Sequence, residues 1–466
     1  MKIQLSDHFT YGRLLRFVFP SILTMFFCTI YSIVDAAFVS NFVGKTSFAA
    51  VNLVMPVLML IAAPGVMMGA GGSALVAKFL GEGDNGKANK AFSTIVYATI
   101  AYGITASITA SYFMEGLAAF LGADGEFLSQ ATRYGRIAAL GGIAFVLQHL
   151  FYCFMIVAEK PKLGFALTVL AGITNIVLDL LFIVVLEWGI SGAALATVIG
   201  QSVGGFTPFV FFLLRNKTHL RIAKPVFDGR TLSKAMSNGV SELVTNIAMS
   251  IVSMLYNFQL IRIAGDTGVA AYGAIMYVSY IFSTFFTGYS FGRAPIISYH
   301  YGARNTSELK NLFRMDCVIV AVAGVVLTAS SEALALPLAK IFGGYDPNLF
   351  EMIRHGIVIY SFAYLLMGAN YAGSSFFTAL NNGLVSALIS FLRTFVFEII
   401  AVLALPIFFG LDGIWSSCAV AEIASFAVTA ICVVAFRKNM ATVDLIFIQN
   451  STFKSWTRMS LRLVMR

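Results

Sequence analysis

Apolar runs of helical length, divided by short breaks rich in charge, glycine and asparagine, recur along the whole chain. Twelve such runs lie near 14–40, 48–78, 90–113, 127–158, 163–186, 190–214, 235–262, 269–302, 312–331, 350–380, 384–409 and 412–437. A helix needs roughly 20 residues to cross a hydrocarbon core about 30 Å thick, so each run is long enough to span a membrane, and the longer ones predict tilt. The runs 48–78 and 269–302 occupy equivalent places in the series. Both contain proline and glycine, which predicts a bend or an interruption in each helix.

The pattern repeats at a constant offset of 221 residues. Gly44, Gly81, Gly122, Gly135, Gly189 and Gly192 recur as Gly265, Gly302, Gly343, Gly356, Gly410 and Gly413. Ala49, Ala50, Met55, Val57 and Arg133 recur as Ala270, Ala271, Met276, Val278 and Arg354. The predicted fold is an all-α polytopic membrane protein: twelve transmembrane helices in two six-helix lobes related by an internal repeat, a pseudo-two-fold along the membrane normal. Its parts are an N-terminal lobe (1–214), a linker (215–234), a C-terminal lobe (235–437) and a basic tail (438–466). Transporters with this layout hold substrate between the halves, near mid-membrane.

Composition agrees, since 59% of residues are hydrophobic, 11% are charged and the mean hydropathy is +0.85, which excludes an ordinary soluble domain. Charge then sets orientation. With the N-terminus inside, the inner loops carry Lys78, Lys87, Lys90, Lys160, Lys162, Arg215, Lys217, Arg221, Lys224, Arg230, Lys234, Arg304, Lys310 and Arg314, whereas the outer loops carry only Lys45, Arg262 and Lys340. Both termini are therefore expected in the cytoplasm of a prokaryote, with the chain in its cytoplasmic (inner) membrane. The net charge of +9 is read as this topology signal and not as a nucleic-acid footprint. The first span reads as a retained helix, because no small-residue cleavage site follows it. Cys28, Cys153, Cys317, Cys418 and Cys432 all fall within spans without C-x-x-C spacing, so neither a disulfide framework nor a zinc site is expected. His149 reads as a packing residue. In the tail, Lys454, Arg458, Arg462 and Arg466 recur every four residues among Phe453, Trp456, Leu463 and Val464, which fits a helix lying on the inner leaflet; a disordered tail is the alternative.

Ionisable groups at membrane depth are costly, by about 2.5–3.5 kcal/mol for a central charge, so each is a candidate for function. Asp35 lies about five residues before the outer end of the first span and Asp179 about seven before that of the fifth, which puts both roughly 8–11 Å below the outer surface. Asn175 precedes Asp179 by one helical turn, and Thr197 reaches the same depth along the sixth span. Two carboxylates, an amide and a hydroxyl suit Na⁺, and a carboxylate pair in apolar surroundings suits a proton. The plain alternative is a polar cluster that holds three helices together. Glu242 and Arg393 share a depth near the inner side, which predicts either a salt bridge or contact with cargo. Arg293 is close enough to the inner surface to snorkel. Glu398 and Glu422 lie mid-span and read as packing or transport groups. Gly65 to Gly72 is no phosphate cradle, because it lies inside a span without the Lys-Ser/Thr of a nucleotide loop; its small residues predict close helix packing.

These residues carry a family resemblance. The chain resembles a prokaryotic multidrug and toxic compound extrusion (MATE) transporter from Arg16 to Arg437, on Tyr-Ser-Ile-Val-Asp-Ala-Ala-Phe-Val (31–39), Asn-Ile-Val-Leu-Asp-Leu-Leu-Phe-Ile (175–183) and Gly-Ile-Ser-Gly-Ala-Ala-Leu-Ala-Thr (189–197). Further matches are Ala-Pro-Ile-Ile-Ser-Tyr-His-Tyr-Gly-Ala (294–303) and Gly-Leu-Asp-Gly-Ile-Trp (410–415), and Glu422 falls in the acidic last-span segment. The resemblance implies alternating access and export of organic cations against inward Na⁺ or H⁺. It matches Asp35, Asn175, Asp179 and Thr197 to an N-lobe cation site, and Glu242 to an acid of the first C-lobe helix. Two departures stand out: Asn370 takes the place of a tenth-span aspartate found in some members, and Arg293 adds a cation to the eighth span.

The chain is thus read as a cation-coupled antiporter for amphiphilic, cationic small molecules. It is not read as an enzyme. Its expected partners are such substrates and the lipid bilayer, with no nucleic acid, no obligate protein partner and a monomeric state. No cofactor is expected beyond the coupling ion, H⁺ or Na⁺, the latter bound at Asp35, Asn175, Asp179 and Thr197. The alternatives are a lipid-linked precursor flippase, which needs cavity arginines for a pyrophosphate, and a non-transporting membrane scaffold or sensor.

Overall fold

A computed structural model describes residues 3–224 and 228–464, with side chains described as far as Ala435 except at positions 37 and 45. It is a bundle of helices. Span 1 covers Tyr11–Val43, span 2 Lys45–Gly81, span 3 Asn85–Phe120, span 5 Pro161–Val185, span 6 Gly189–Leu213 and span 9 Thr306–Gly343. Span 4 is a bent pair, Gly125–Leu140 and Gly142–Val157, and span 10 another, Pro347–Ser361 and Tyr364–Ala379, each turned by 50° at its break. Spans 7 and 8 share Gly229–Gly302, broken at Gly265, and spans 11 and 12 share Gly383–Ala435, broken at Gly410. Twelve crossings return the chain to the face it left, called below the terminal face. Helix continues through the tail to Val464, but the tail's side chains, and with them the expected amphipathic face, lie outside the described residues.

The repeat is written into backbone conformation. Gly44 and Gly265 turn the hairpins of spans 1–2 and 7–8 with φ of 117° and 62°, and Gly189 and Gly410 turn those of spans 5–6 and 11–12 with φ of 56° each. A residue with a Cβ is strained there, so glycine recurs where the turn recurs. The bends of spans 4 and 10 are likewise 221 residues apart, at Gly141 and Phe362.

Two expectations need correction. Helix runs unbroken through Pro56 and Pro64 in span 2 and through Pro295 in span 8, so of the bend or interruption expected there the interruption does not occur. Spans 3 and 9 are longer than their apolar runs, because Lys87, Lys90, Glu308 and Lys310 end a hydrophobic stretch without ending a helix. Caps set those starts: the Lys87 N–H donates to the Asp84 side chain at 2.8 Å, and the Glu308 N–H donates to that of Asn305 at 3.1 Å.

The halves meet through glycines. A Cβ on Gly71 of span 2 would lie 2.1 Å from the Ala235 carbonyl oxygen of span 7, and one on Gly239 would lie 1.9 Å from that of Met67. Nearer the terminal face, Gly81 and Gly302 stand in the same reciprocal relation, at 2.0 Å from the carbonyls of Tyr299 and Lys78. Asn238 ties this seam by donating to the carbonyls of Gly71 and Thr378 at 3.3 and 2.9 Å. The small residues of 65–72 therefore pack closely, as expected, and they do so between the lobes as well as against span 4.

Candidate functional site

Among the described residues, three of the helices contain π-helical segments, and each lies beside charged residues. Val39–Val43 begins four residues after Asp35, Leu180–Val185 begins directly after Asp179, and Leu392–Phe397 contains Arg393 and runs into Glu398. A π segment adds a residue to the turn and rotates the remainder of its helix, and it recurs at functional positions.

In the N-lobe the four expected residues converge. The Asn175 amide Nδ2 donates to Asp35 Oδ1 at 3.5 Å, and the Asp35 carboxylate also faces the side chains of Asp179 and Thr197. Asp179 is 0% exposed and faces Asp35, and among the described residues no N–H or hydroxyl donates to either of its oxygens. The Asn175 carbonyl oxygen is also buried without a donor, because its amide nitrogen is turned to Asp35. Thr197 spends its hydroxyl proton on the Ala193 carbonyl at 3.0 Å, so its oxygen is left as an acceptor. These four side chains therefore offer more acceptors than donors, the Tyr134 hydroxyl beside Thr197 being a further donor at the edge of the cluster. Such an arrangement costs free energy unless a cation is supplied. All its ligand atoms are oxygens and its carboxylates are two, a set that fits H⁺ or Na⁺; among the described residues no group of three or more His, Cys, Asp or Glu could hold a metal ion. Tyr134 of span 4, fully buried, reaches Thr197 with its hydroxyl and lies near Asp35 and Asp179. Sequence reasoning missed it, since one tyrosine among 18 carries no signal of its own.

The C-lobe holds a different network. Arg393 donates through Nε and Nη2 to Glu422 Oε1 at 2.8 and 2.7 Å, and its guanidinium lies 4.1 Å over the Tyr371 ring. Glu422 Oε2 accepts from Asn370 at 2.6 Å, and Thr429 donates to Asn370 Oδ1 at 3.0 Å. This corrects the expected pairing of Arg393 with Glu242. Equal depth placed both near one another, but span 12 supplies the closer carboxylate, and Glu242 faces Arg393 across a small polar cavity with Ser374 and Ser390. Glu398 accepts from Tyr256 at 3.4 Å and lines a second cavity with Tyr272, Tyr280, Met276 and Arg393. Asn370, where the resemblance expects an acid, instead locks Glu422 in place.

Arg293 does not snorkel. It is 1% exposed, paired through Nη1 with Asp316 of span 9 and donating through Nη2 to the Ala372 carbonyl, while Tyr289 donates to the other Asp316 oxygen at 2.5 Å. Asp316 escaped the sequence reading because it lies four residues into its apolar run, where an acid passes for an interfacial residue.

The same architecture is found in known proteins. The MatE family model matches residues 20–181 and 243–403. The multidrug export protein MepA of Staphylococcus aureus (strain MRSA252) is 24% identical over 440 residues, covering 93% of this chain and 95% of that protein. A multidrug resistance MATE family transporter of the MOP superfamily, solved in an outward-facing conformation, superposes with a TM-score of 0.86 at 23% identity, over 94% of this chain and 99% of that one. A MOP-superfamily transporter from Pyrococcus furiosus, described as having a binding pocket of reversed polarity, superposes with a TM-score of 0.85 at 22% identity, over 92% and 97%. At these identities the structural likeness establishes the fold.

Proposed function

The chain belongs to the MatE family, and from that premise we propose that it is a cation-coupled antiporter that exports amphiphilic, cationic small molecules. One observation carries the coupling assignment: Asp179 Oδ1 and Oδ2 and Asn175 Oδ1 are buried acceptors without donors, set against the Asp35 carboxylate. A proton or Na⁺ entering from outside satisfies them, and its release on the inner side drives the lobes between states. We assign the terminal face, which bears the basic loops, to the cytoplasm. The glycine seam between spans 2, 7 and 8 then lies on the inner side, and the acid pair lies in the outer half.

The family's drug-export branch is favoured over lipid-linked precursor transport by the fate of the arginines. Arg293 is consumed by Asp316 and Arg393 by Glu422, so neither is available to hold a pyrophosphate. Glu398 and Glu242 remain as cavity carboxylates among tyrosines, suited to the positive end of a cargo. The test is transport in sealed proteoliposomes with Na⁺ and pH gradients imposed separately. Uptake of a lipophilic cation driven by one gradient and abolished by Asp179→Asn supports the reading; transport indifferent to both gradients overturns it.

A further inference from the structure

Between the first turns of spans 1 and 5, on the terminal face, lies a groove of about 1120 Å³ far from the acid pair. Four cations line its mouth: Arg13 and Arg16, one turn apart on span 1, and Lys160 and Lys162, which flank the Pro161 start of span 5. Arg13 donates to the His8 carbonyl at 3.0 Å, while Arg16, Lys160 and Lys162 form no ion pair among the described residues. One carboxylate shares the lining, Glu159, and it accepts the Leu5 N–H at 2.9 Å. The deeper wall is apolar and open: Leu15 is 41% and Phe19 56% exposed. From Arg13 to Phe19 the helix rises about 9 Å, so the groove passes from cationic to hydrocarbon-like within the depth of a headgroup and the first methylenes of an acyl chain.

A bias of positive residues toward one face explains the sign of these charges. It does not explain why they converge on a groove with an apolar floor between two helices. A soluble anion would leave Leu15 and Phe19 in place but unused, and a neutral lipid would leave four cations facing one acid. An amphiphile with an anionic head meets both demands. We propose that this groove binds an anionic phospholipid, its phosphate between Arg13, Arg16 and Lys162 and an acyl chain along Leu15 and Phe19. The lipid joins the first turns of the two helices whose far halves carry Asp35 and Asp179, so it fixes the base on which the acid pair is built.

The experiment uses the purified full-length protein in detergent, titrated with phosphatidylglycerol or phosphatidylcholine, and reads affinity by native mass spectrometry and protection by thermal melting. Arg13→Gln/Arg16→Gln/Lys162→Gln should weaken phosphatidylglycerol binding by about tenfold or more and remove its effect on the melting temperature. Lys217→Gln/Lys224→Gln/Lys234→Gln, which removes as many charges elsewhere, should leave both in place. Leu15→Ser/Phe19→Ser should weaken the lipid as well, and glycerol 3-phosphate should fail to displace it. Because the three cations are exposed or half-exposed, the charge variant is expected to fold, and single Arg16→Gln provides a milder check. Equal binding of phosphatidylcholine, unchanged affinity in the charge variant, an equal loss in the control, or displacement by glycerol 3-phosphate would each overturn the proposal, the last by reducing the groove to an anion site.

Discussion

Asp179 and Arg393 are both ionisable side chains inside the membrane, yet only Arg393 has its opposite charge beside it. That difference predicts opposite responses to neutralisation. Asp179→Asn keeps the shape and removes an unsatisfied acceptor, so thermal stability should hold or rise while ion-coupled transport is lost; Asp35→Asn should follow it. Asn175→Ala and Thr197→Ala remove one neutral oxygen each and should weaken ion dependence without ending transport. Measuring transport and melting on the same purified proteins decides the matter, and a stable Asp179→Asn protein with wild-type ion dependence would sink the assignment. Arg393→Gln, by contrast, strands Glu422 and should cost about 3–5 kcal/mol. Adding Glu422→Gln should recover much of that loss in melting temperature, and adding Glu242→Gln should not; equal recovery would make Glu242 the partner after all. The N-lobe cluster was legible in the sequence because its two acids interrupt long apolar runs at one depth. Depth fixes only one coordinate, however. Which side of span 11 faces span 12, and hence which glutamate meets Arg393, depends on helix rotation, and the π segment at Leu392–Phe397 alters that rotation locally.

At the scale of helices, the seam of glycines sets how tightly the halves close. Gly71→Ala places a methyl 2.1 Å from a backbone carbonyl that cannot move without its helix, so spans 2 and 7 must separate. The expected cost is about 1–3 kcal/mol of the closed form, read as a lower melting temperature and as faster labelling of single cysteines placed on the terminal-face ends of those spans. Gly273→Ala is the matched control, since nothing lies within 4 Å of its Cβ, and it should be neutral or slightly stabilising. Similar labelling of both variants would show that the seam is not what closes this face. The hairpin glycines were readable because a positive φ leaves few other choices, and a duplicated chain shows the constraint twice. Helix ends were less readable: spans 3 and 9 run on into charged sequence, where hydrophobicity has no further information and capping by Asp84 and Asn305 decides.

For the whole molecule, alternating access requires the two lobes to move as bodies, and one contact lies where that motion must pass. Thr29 of span 1 and Thr284 of span 8 meet with their hydroxyl oxygens 3.1 Å apart, near the middle of both helices and across the lobe boundary. A disulfide between cysteines at these positions, whose side-chain ends already meet, would hold the lobes at mid-membrane in the conformation described. In a background with Cys28→Ser, which removes the adjacent native thiol, Thr29→Cys/Thr284→Cys should transport when reduced, stop when oxidised and recover with reductant. Each single cysteine should transport under both conditions. If the cross-linked protein still moves cargo at the reduced rate, spans 1 and 8 need not separate, and a local gate within one lobe, not rocking of the two lobes against each other, would have to carry the substrate.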